Sequence, residues 1–405
     1  MPTLFQISIG VNSGSVGRIA EQIGLTVMAQ GWNSYITYAR NCVSSRSKTI
    51  KIGNKFDIYW HGINTRLFDN HCLCSTSATK KLVAQINRIK PDIIQIHNIH
   101  GYYINMKVLF NFLGNFDIPV VWTLHDCWSF TGHCAHFDYI GCEKWITGCY
   151  KCPQKGVYPS SKLLDRSSRN YKLKNKYFNN VKNMTIIPVS NWLGELVEKS
   201  YLKKYPVHVI HNGVDIDIFK PILDNDDIYQ KYNLYDKFIL LGVASKWTKQ
   251  KGFEDFMLLN DIIDHEKYKI ILVGLSSRQV KQCPEEIIGI GRTENINELV
   301  ALYSASGVFL NLTWEDTFPT TNLESLACGT PVITYQTGGS VESVFENVGI
   351  IVKKGNIADI YKAITKIIEK EKAYYVDNCR KVAVTYFNRW ERYKEYLDLY
   401  NRLLK

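Results

Sequence analysis

Short apolar runs rich in β-branched residues alternate with amphipathic stretches along most of the chain, and that alternation predicts parallel βαβ architecture. In the first half the runs are TLFQISIG (3–10), SYITYA (34–39), DIIQIHN (92–98), PVVWTLHD (119–126) and MTIIPVS (184–190). In the second half they are VHVIHNG (207–213), FILLGVAS (238–245), YKIILVG (268–274), IIGIG (287–291), VFLNLT (308–313) and PVITY (331–335). Helical periodicity fills the intervals, as at 15–30 and 294–305. The rhythm restarts near residue 200. The pattern therefore predicts an α/β chain of two Rossmann-like, doubly wound domains facing a cleft, over 1–195 and 196–381. A last helix, 382–405, is expected to cross back onto the first domain.

Polar clusters fall where these strands end: Gly10–Gly17, His97–His100, His125–Asp126, Ser190–Asn191, Asn212–Asp215, Ser245–Lys251 and Trp314–Thr321. In doubly wound sheets that edge is where ligands bind, because helix N-termini point toward it.

The stretch FLNLTWEDTFPTTNLESLACGTPVITY (309–335) is the most informative. FLNL reads as a buried strand, and Pro319 restricts Phe318 to extended backbone. A helix then starts near Thr320 or Thr321 and stops at Gly329, with Pro331 preventing its resumption. Thr321 and Glu324 have capping-box spacing, which would tie Glu324 to its own backbone. The same geometry also permits a second reading. Free amides at the helix start can hold a diphosphate, Glu324 can accept two hydroxyl hydrogen bonds from a ribose, and Asp316 would stand across the phosphate from it.

This stretch resembles the E-x7-E region of retaining glycosyltransferases of family 4, which have the two-domain GT-B fold. Asp316 stands at the first acid and Glu324 at the second; Asp replaces Glu, and Thr317 and Pro319 replace two glycines. GVASKWTKQKGFEDF (242–256) resembles the family's phosphate-binding segment: Lys251 matches its Lys, while Ser245 occupies the Arg position and leaves Lys246 as the second cation. VIHNGVDIDIF resembles the N-G-V-D turn, with Asn212 structural. GVNSGSVGRIAEQI resembles the glycine loop of the first domain, where Gly14 would let a donor diphosphate or an acceptor approach the backbone. The His125 of TLHD matches a histidine beside the donor sugar.

The resemblance spans nearly the whole chain, and the motif order is similar to that of bacterial capsule, exopolysaccharide and lipopolysaccharide enzymes, the colanic-acid type above all. It implies hexosyl transfer from a UDP- or GDP-sugar to a glycan acceptor carried on a lipid diphosphate. The first domain would be the acceptor side and the second would bind the sugar nucleotide. Catalysis would rest on His125, Asp316 and Lys251. The donor would be bound by Gly14, Lys246, Lys251, Arg292, Asp316, Phe318, Thr320, Thr321 and Glu324, with Arg292 the candidate base contact. The resemblance also implies retention of anomeric configuration; since the residues show no certain nucleophile, a front-face displacement is the favoured route, and no catalytic metal is expected. The DID (215–217) and DND (224–226) triplets match the metal-binding D-x-D only nominally and read as a turn and a surface loop.

Composition narrows the setting. Of 405 residues, 45% are hydrophobic and 21% charged, which suits a globular chain of two domains. The N-terminus lacks the basic start of a signal peptide, and no apolar run approaches the roughly 18–20 residues that span a bilayer. A cytoplasmic protein is therefore expected. The net charge of +11 favours an anionic partner. The basic stretch 162–183 reads either as a solvated helix face or as a peripheral contact with the inner face of the cell membrane.

Five of the eleven cysteines fall within 127–152. Cys134, Cys142, Cys149 and Cys152, ending in C-x2-C, have the spacing of a structural zinc site; two disulfides or reduced packing thiols are the alternatives. A zinc-containing nucleic-acid binder is disfavoured, because the cysteines interrupt a doubly wound domain. A sugar phosphorylase lacks a pyridoxal-phosphate lysine context, and a catalytically silent sugar-nucleotide binder is the remaining alternative.

Overall fold

The computed structural model describes all 405 residues and divides into two compact units, Met1–His211 with Tyr393–Lys405, and Asn212–Arg392. Each is built on a six-stranded, wholly parallel sheet. In the first unit the strands are β1 (Thr3–Ile7), β2 (Asn33–Tyr38), β3 (Lys48–Lys51), β4 (Ile93–Ile96), β5 (Val120–Leu124) and β6 (Met184–Pro188), in the order β3-β2-β1-β4-β5-β6. In the second they are β7 (Phe238–Val243), β8 (Tyr268–Val273), β9 (Ile287–Ile290), β10 (Val308–Asn311), β11 (Val332–Tyr335) and β12 (Gly349–Val352), in the order β12-β11-β10-β7-β8-β9. Strands β4, β5, β6 and β11 are buried along their whole length, as strands covered on both faces require.

Parallel strands all end on one edge, so the polar clusters of each unit gather there. The order reverses between β1 and β4 in the first unit, with Phe5 opposite Ile94, and between β10 and β7 in the second, with Phe309 opposite Leu241. Loops leaving a reversal point diverge to opposite faces of the sheet and open a crevice there. The loops that flank these two points carry Gly14 and His97 in the first unit, and Lys251 and Asp316 in the second.

Three elements depart from the pattern read in the sequence. The edge strands β3 and β12 were not anticipated; β3 is KTIK, largely exposed and lacking an apolar run. VHVIHNG (207–213) does not open the second sheet. It runs beside β6 of the first, where His208 N donates to Ile186 O and Ile210 N to Pro188 O. An edge strand offers such a segment partners that a new sheet would have had to supply.

The C-terminal stretch is two helices, Lys372–Tyr386 and Arg389–Leu403, broken at Phe387 and Asn388, which pair with Val214. The end of the second helix belongs to the first unit. Tyr393, Tyr396 and Tyr400 are buried in a cluster with Leu4, Ile23, Ile93 and Val121. The hydroxyl of Tyr400 donates to Gln95 Oε1, and that of Tyr396 accepts from Thr123 Oγ1 at 3.4 Å.

Candidate functional site

In the second unit the loop after β7 is pinned at three points. Trp247 is buried and donates its Nε1–H to Val273 O at 2.9 Å. Gln250 O accepts Trp314 N at 2.8 Å and the Thr313 hydroxyl at 3.2 Å. Gly252 has φ +76°, and a Cβ there would lie 2.2 Å from Leu312 O, so only glycine lets the loop lie this close to the end of β10. Lys251 is thereby carried to Asp316, with Nζ 2.5 Å from Oδ2. The sequence reading gave these two residues separate tasks; the structure brings them together as an ion pair. Lys246 lies exposed on the same loop, and Arg292 lies exposed after β9.

Asp316 is fixed from behind as well. Gly339 N donates to Asp316 O, and Gly338, φ +45°, has no room for a Cβ, which would meet that oxygen at 1.9 Å. Along 315–318 the partly exposed residue is Asp316, while Glu315 and Phe318 are buried, so Asp316 rather than Glu315 faces outward. The Phe318 ring packs on Phe387 at 5.9 Å. A donor contact there would have to come from its backbone.

The helix Thr320–Ala327 starts directly after Pro319, which occupies the N-cap position without a side-chain bond. The capping box expected from Thr321 and Glu324 is therefore absent. Pro319 (φ −70°, ψ 120°) ends the extended segment and starts the helix two residues earlier than that motif needs. Glu324 accepts the Tyr303 hydroxyl at 3.2 Å. Thr320, Thr321 and Glu324 are each partly exposed, and the first-turn amides have no partner within the helix. Asn322 is wholly buried: it takes Asn311 Nδ2 on its oxygen at 2.7 Å and donates to Ser340 and Ser343, which locks helix, strand and the 338–343 turn together. Asn212 donates to Phe318 O, and the Asp215 carboxylate is occupied by Arg389 and the amides of Asp217 and Ile218, a structural turn. Asp224 accepts Asp226 N at the start of another helix.

In the first unit His125 ends β5 in a directed chain of hydrogen bonds. Gln6 Nε2 donates to Ala20 O, which turns Gln6 Oε1 toward His97 Nε2 at 3.0 Å; His97 Nδ1 then faces His125 Nε2 at 3.1 Å. With both rings neutral, His125 Nε2–H donates to His97 Nδ1, and His125 Nδ1 carries the lone pair. Burial holds His125 at about 4 and pushes His97 well below the usual imidazole range, so both are neutral near pH 7. Beside it, burial pushes the Asp126 carboxyl up, but His100 at 3.2 Å and the Trp128 amide outweigh that and hold it at about 2. Gly14 opens the helix Gly14–Ala29 at φ +66°, with open space where a Cβ would sit.

Cys134, Cys142, Cys149 and Cys152 line one small cavity. The basic stretch 162–183 is only partly a solvated face. Lys174 is wholly buried, donates to Trp128 O and Thr131 O at 2.6 and 3.0 Å, and is pulled down to about 7 by burial. His97, Asn322 and the Gly338–Gly339 pair are the supporting residues that the candidate set omitted. The glycine pair follows β11 at the same sheet edge as the rest, so the strand-end rule would have reached it.

The sequence model described as Glycosyltransferase Family 4 matches residues 29–218, and that of Glycosyl transferases group 1 matches 224–382. The chain is 24% identical over 283 residues to the colanic acid biosynthesis glycosyl transferase WcaC of Escherichia coli K12, covering 67% of this chain and 66% of that one. It is 27% identical over 207 residues to the capsular polysaccharide biosynthesis glycosyltransferase CapM of Staphylococcus aureus, covering 48% and 54%. The chain thus spans between about half and two thirds of the length of these curated relatives. Its fold is similar over 99% of the chain to that of HepE from Anabaena, crystallised with UDP, at a TM-score of 0.71 and 15% identity, covering 100% of that chain. Two parallel six-stranded sheets and a lysine–acid pair at the second reversal point agree with these matches: the first half of the chain is similar to the Family 4 glycosyltransferases and the second to the group 1 glycosyltransferases.

Proposed function

We propose that the chain moves a hexose from a UDP- or GDP-sugar to a glycan acceptor with retention of anomeric configuration, in the assembly of a surface polysaccharide. The observation that carries this reading is the Lys251–Asp316 pair beside the helix that starts at Thr320. Leaving-group departure puts negative charge on the β-phosphate, and a fixed ammonium with the positive end of a helix stabilises it without reorganisation. The incoming diphosphate replaces Asp316 as the partner of Lys251, and the released carboxylate then orients a sugar hydroxyl. Glu324 accepts the ribose hydroxyls, Lys246 adds a second cation, and Arg292 contacts the base. Gly14 gives the diphosphate or the acceptor a close backbone approach, and His125, neutral, accepts a hydroxyl on Nδ1.

The bond from the anomeric carbon to the β-phosphate oxygen breaks while the acceptor oxygen bonds the same face. The acceptor proton passes to the departing phosphate. No metal takes part in this scheme.

The acceptor we propose is a glycan on a lipid diphosphate at the cytoplasmic face of the membrane. Two further relatives, from Campylobacter jejuni and Escherichia coli and 24% and 22% identical, are named for diphospho-undecaprenol-linked acceptors, which supports it. No helix is long and apolar enough to cross a membrane. The exposed Lys162, Lys172, Lys176 and Lys182 offer a contact for anionic headgroups. The test is nucleoside-diphosphate release from UDP-, GDP- and dTDP-sugars supplied with lipid-linked acceptors. Release from one donor that is lost in Lys251→Ala supports transfer. Nucleotide binding without release under any acceptor favours a silent sugar-nucleotide binder.

A further inference from the structure

The cysteine-rich segment after His125 is a long stretch without a strand or an α-helix. Its regular structure is three short 3-10 turns, Trp128–Phe130, Asp138–Ile140 and Lys144–Ile146. Yet Trp128, Phe130, Phe137 and Trp145 are buried in it. Irregular stretches of this length are uncommon in compact domains, and they lack the ladder hydrogen bonds that fix a buried backbone. Scattered turn bonds such as Cys127 N to Ala135 O, and the Lys174 bonds to Trp128 O and Thr131 O, hold parts of it, and a further cross-link would hold the whole.

The four sulfurs supply the means. Cys134, Cys142, Cys149 and Cys152 reach one cavity of about 10 Å³, the room of a single small occupant. The Cys134 and Cys152 thiols hydrogen-bond each other, and Cys149 is close enough to feel both Cys142 and Cys152. Gly132 N donates to Cys149 Sγ at 3.1 Å, the kind of backbone bond that stabilises a thiolate ligand. Between the last two cysteines, Lys151 is held at φ 42°, a left-handed conformation unusual for lysine, which folds C-x2-C into a tight turn. All eleven cysteines are free thiols.

We propose that Cys134, Cys142, Cys149 and Cys152 bind one zinc ion as four thiolates, and that this ion holds the segment beside His125 in its folded form. Four sulfur donors lining one cavity suit a tetrahedral structural site once drawn onto an ion, and four ligands leave no open position for chemistry. Binding exchanges thiol protons for metal, so the site is closed at neutral pH and opens in acid or under chelation. Loss of the ion would free the stretch whose Trp128 and Thr131 carbonyls hold Lys174 and whose Trp128 amide bonds Asp126.

The test is metal analysis of the full chain, purified under reducing conditions without chelator or added metal. The expected result is one zinc per chain, released by a mercurial that caps thiols. Replacement by Co²⁺ should give an intense thiolate-to-cobalt charge-transfer band with tetrahedral visible bands. Cys149→Ser and Cys152→Ser should lose stoichiometric zinc, while Cys42→Ser and Cys283→Ser, altered outside the cluster, should retain it. If the cluster variants do not fold, the wild-type measurements still decide. A folded chain with neither zinc nor a cobalt charge-transfer band overturns the site, as do disulfides among these four cysteines in the mass spectrum. Iron in place of zinc, or a cobalt spectrum showing nitrogen ligation, overturns the ion or the ligand set.

Discussion

Lys251 Nζ lies 2.5 Å from Asp316 Oδ2, across 65 residues of sequence. The pair exists because a buried tryptophan, a left-handed glycine and two hydrogen bonds to Gln250 O bring two strand-end loops together at a reversal of sheet order. It gives the ammonium a fixed position before any donor arrives. Lys251→Ala should therefore lower kcat by about 10²–10³-fold, the usual cost of removing one preorganised group that stabilises leaving-group charge. Asp316→Asn should reduce kcat less and leave nucleoside-diphosphate affinity intact or improved, since it removes the competitor for the lysine. Steady-state nucleoside-diphosphate release and nucleotide titration distinguish the two effects.

Glycine at 252 is a requirement of the site rather than of the sheet. Gly252→Ala places a methyl 2.2 Å from Leu312 O at a backbone φ of +76°. The expected cost is about 1–3 kcal/mol of stability from backbone strain, together with weakened donor binding because the Lys251 loop must lift. Denaturant unfolding and nucleotide titration of the same variant should both shift; a wild-type curve in both would contradict the pinning role.

Asn322 should behave as a structural residue although it lies inside the site's helix. Asn322→Ala takes the acceptor from Asn311 Nδ2 and a donor from Ser340 and Ser343, which keep each other and Thr334 as partners, at about 1–3 kcal/mol for the polar group left unsatisfied. Lower stability with an unchanged dependence on Glu324 is the outcome expected from unfolding curves of single and double variants.

The sign of the pH dependence follows from the histidines. His61 and His125 are held at about 4 and His97 is also lowered, in each case by burial, against an unfolded value near 6.5. Between those values the unfolded chain binds more protons than the folded one. Their contribution to stability is therefore complete above about pH 6.5 and is lost as pH falls toward 4. The midpoint of chemical denaturation should decline through that window, and the His125 ring should contribute no inflection to the rate profile between pH 5.5 and 8. A histidine NMR titration of His125 near 6.5 would contradict both expectations.

Much of this was legible from pattern. Ten of the expected strand runs are strands, because buried parallel strands are continuous apolar runs with sharp polar ends. Residues 207–213 misled for the same reason: an alternating apolar stretch specifies that it needs an edge, not which edge. β3 was illegible since an exposed edge strand has nothing to bury on one side. Lys251 and Asp316 were found one at a time, yet their pairing depends on Gly252 and Gly338, whose role comes from backbones meeting in space. The Thr321–Glu324 capping motif failed because Pro319 set the helix start first.

The decisive measurement is calorimetric titration of UDP-, GDP- and dTDP-sugars into the wild-type chain and into Lys251→Ala and Glu324→Gln. Binding of one nucleotide class by the wild type, weakened at least about tenfold in both variants, is the predicted result. Binding to none of the donors, or binding that both variants retain unchanged, would contradict a donor site built on Lys251, Asp316 and the helix that begins at Thr320.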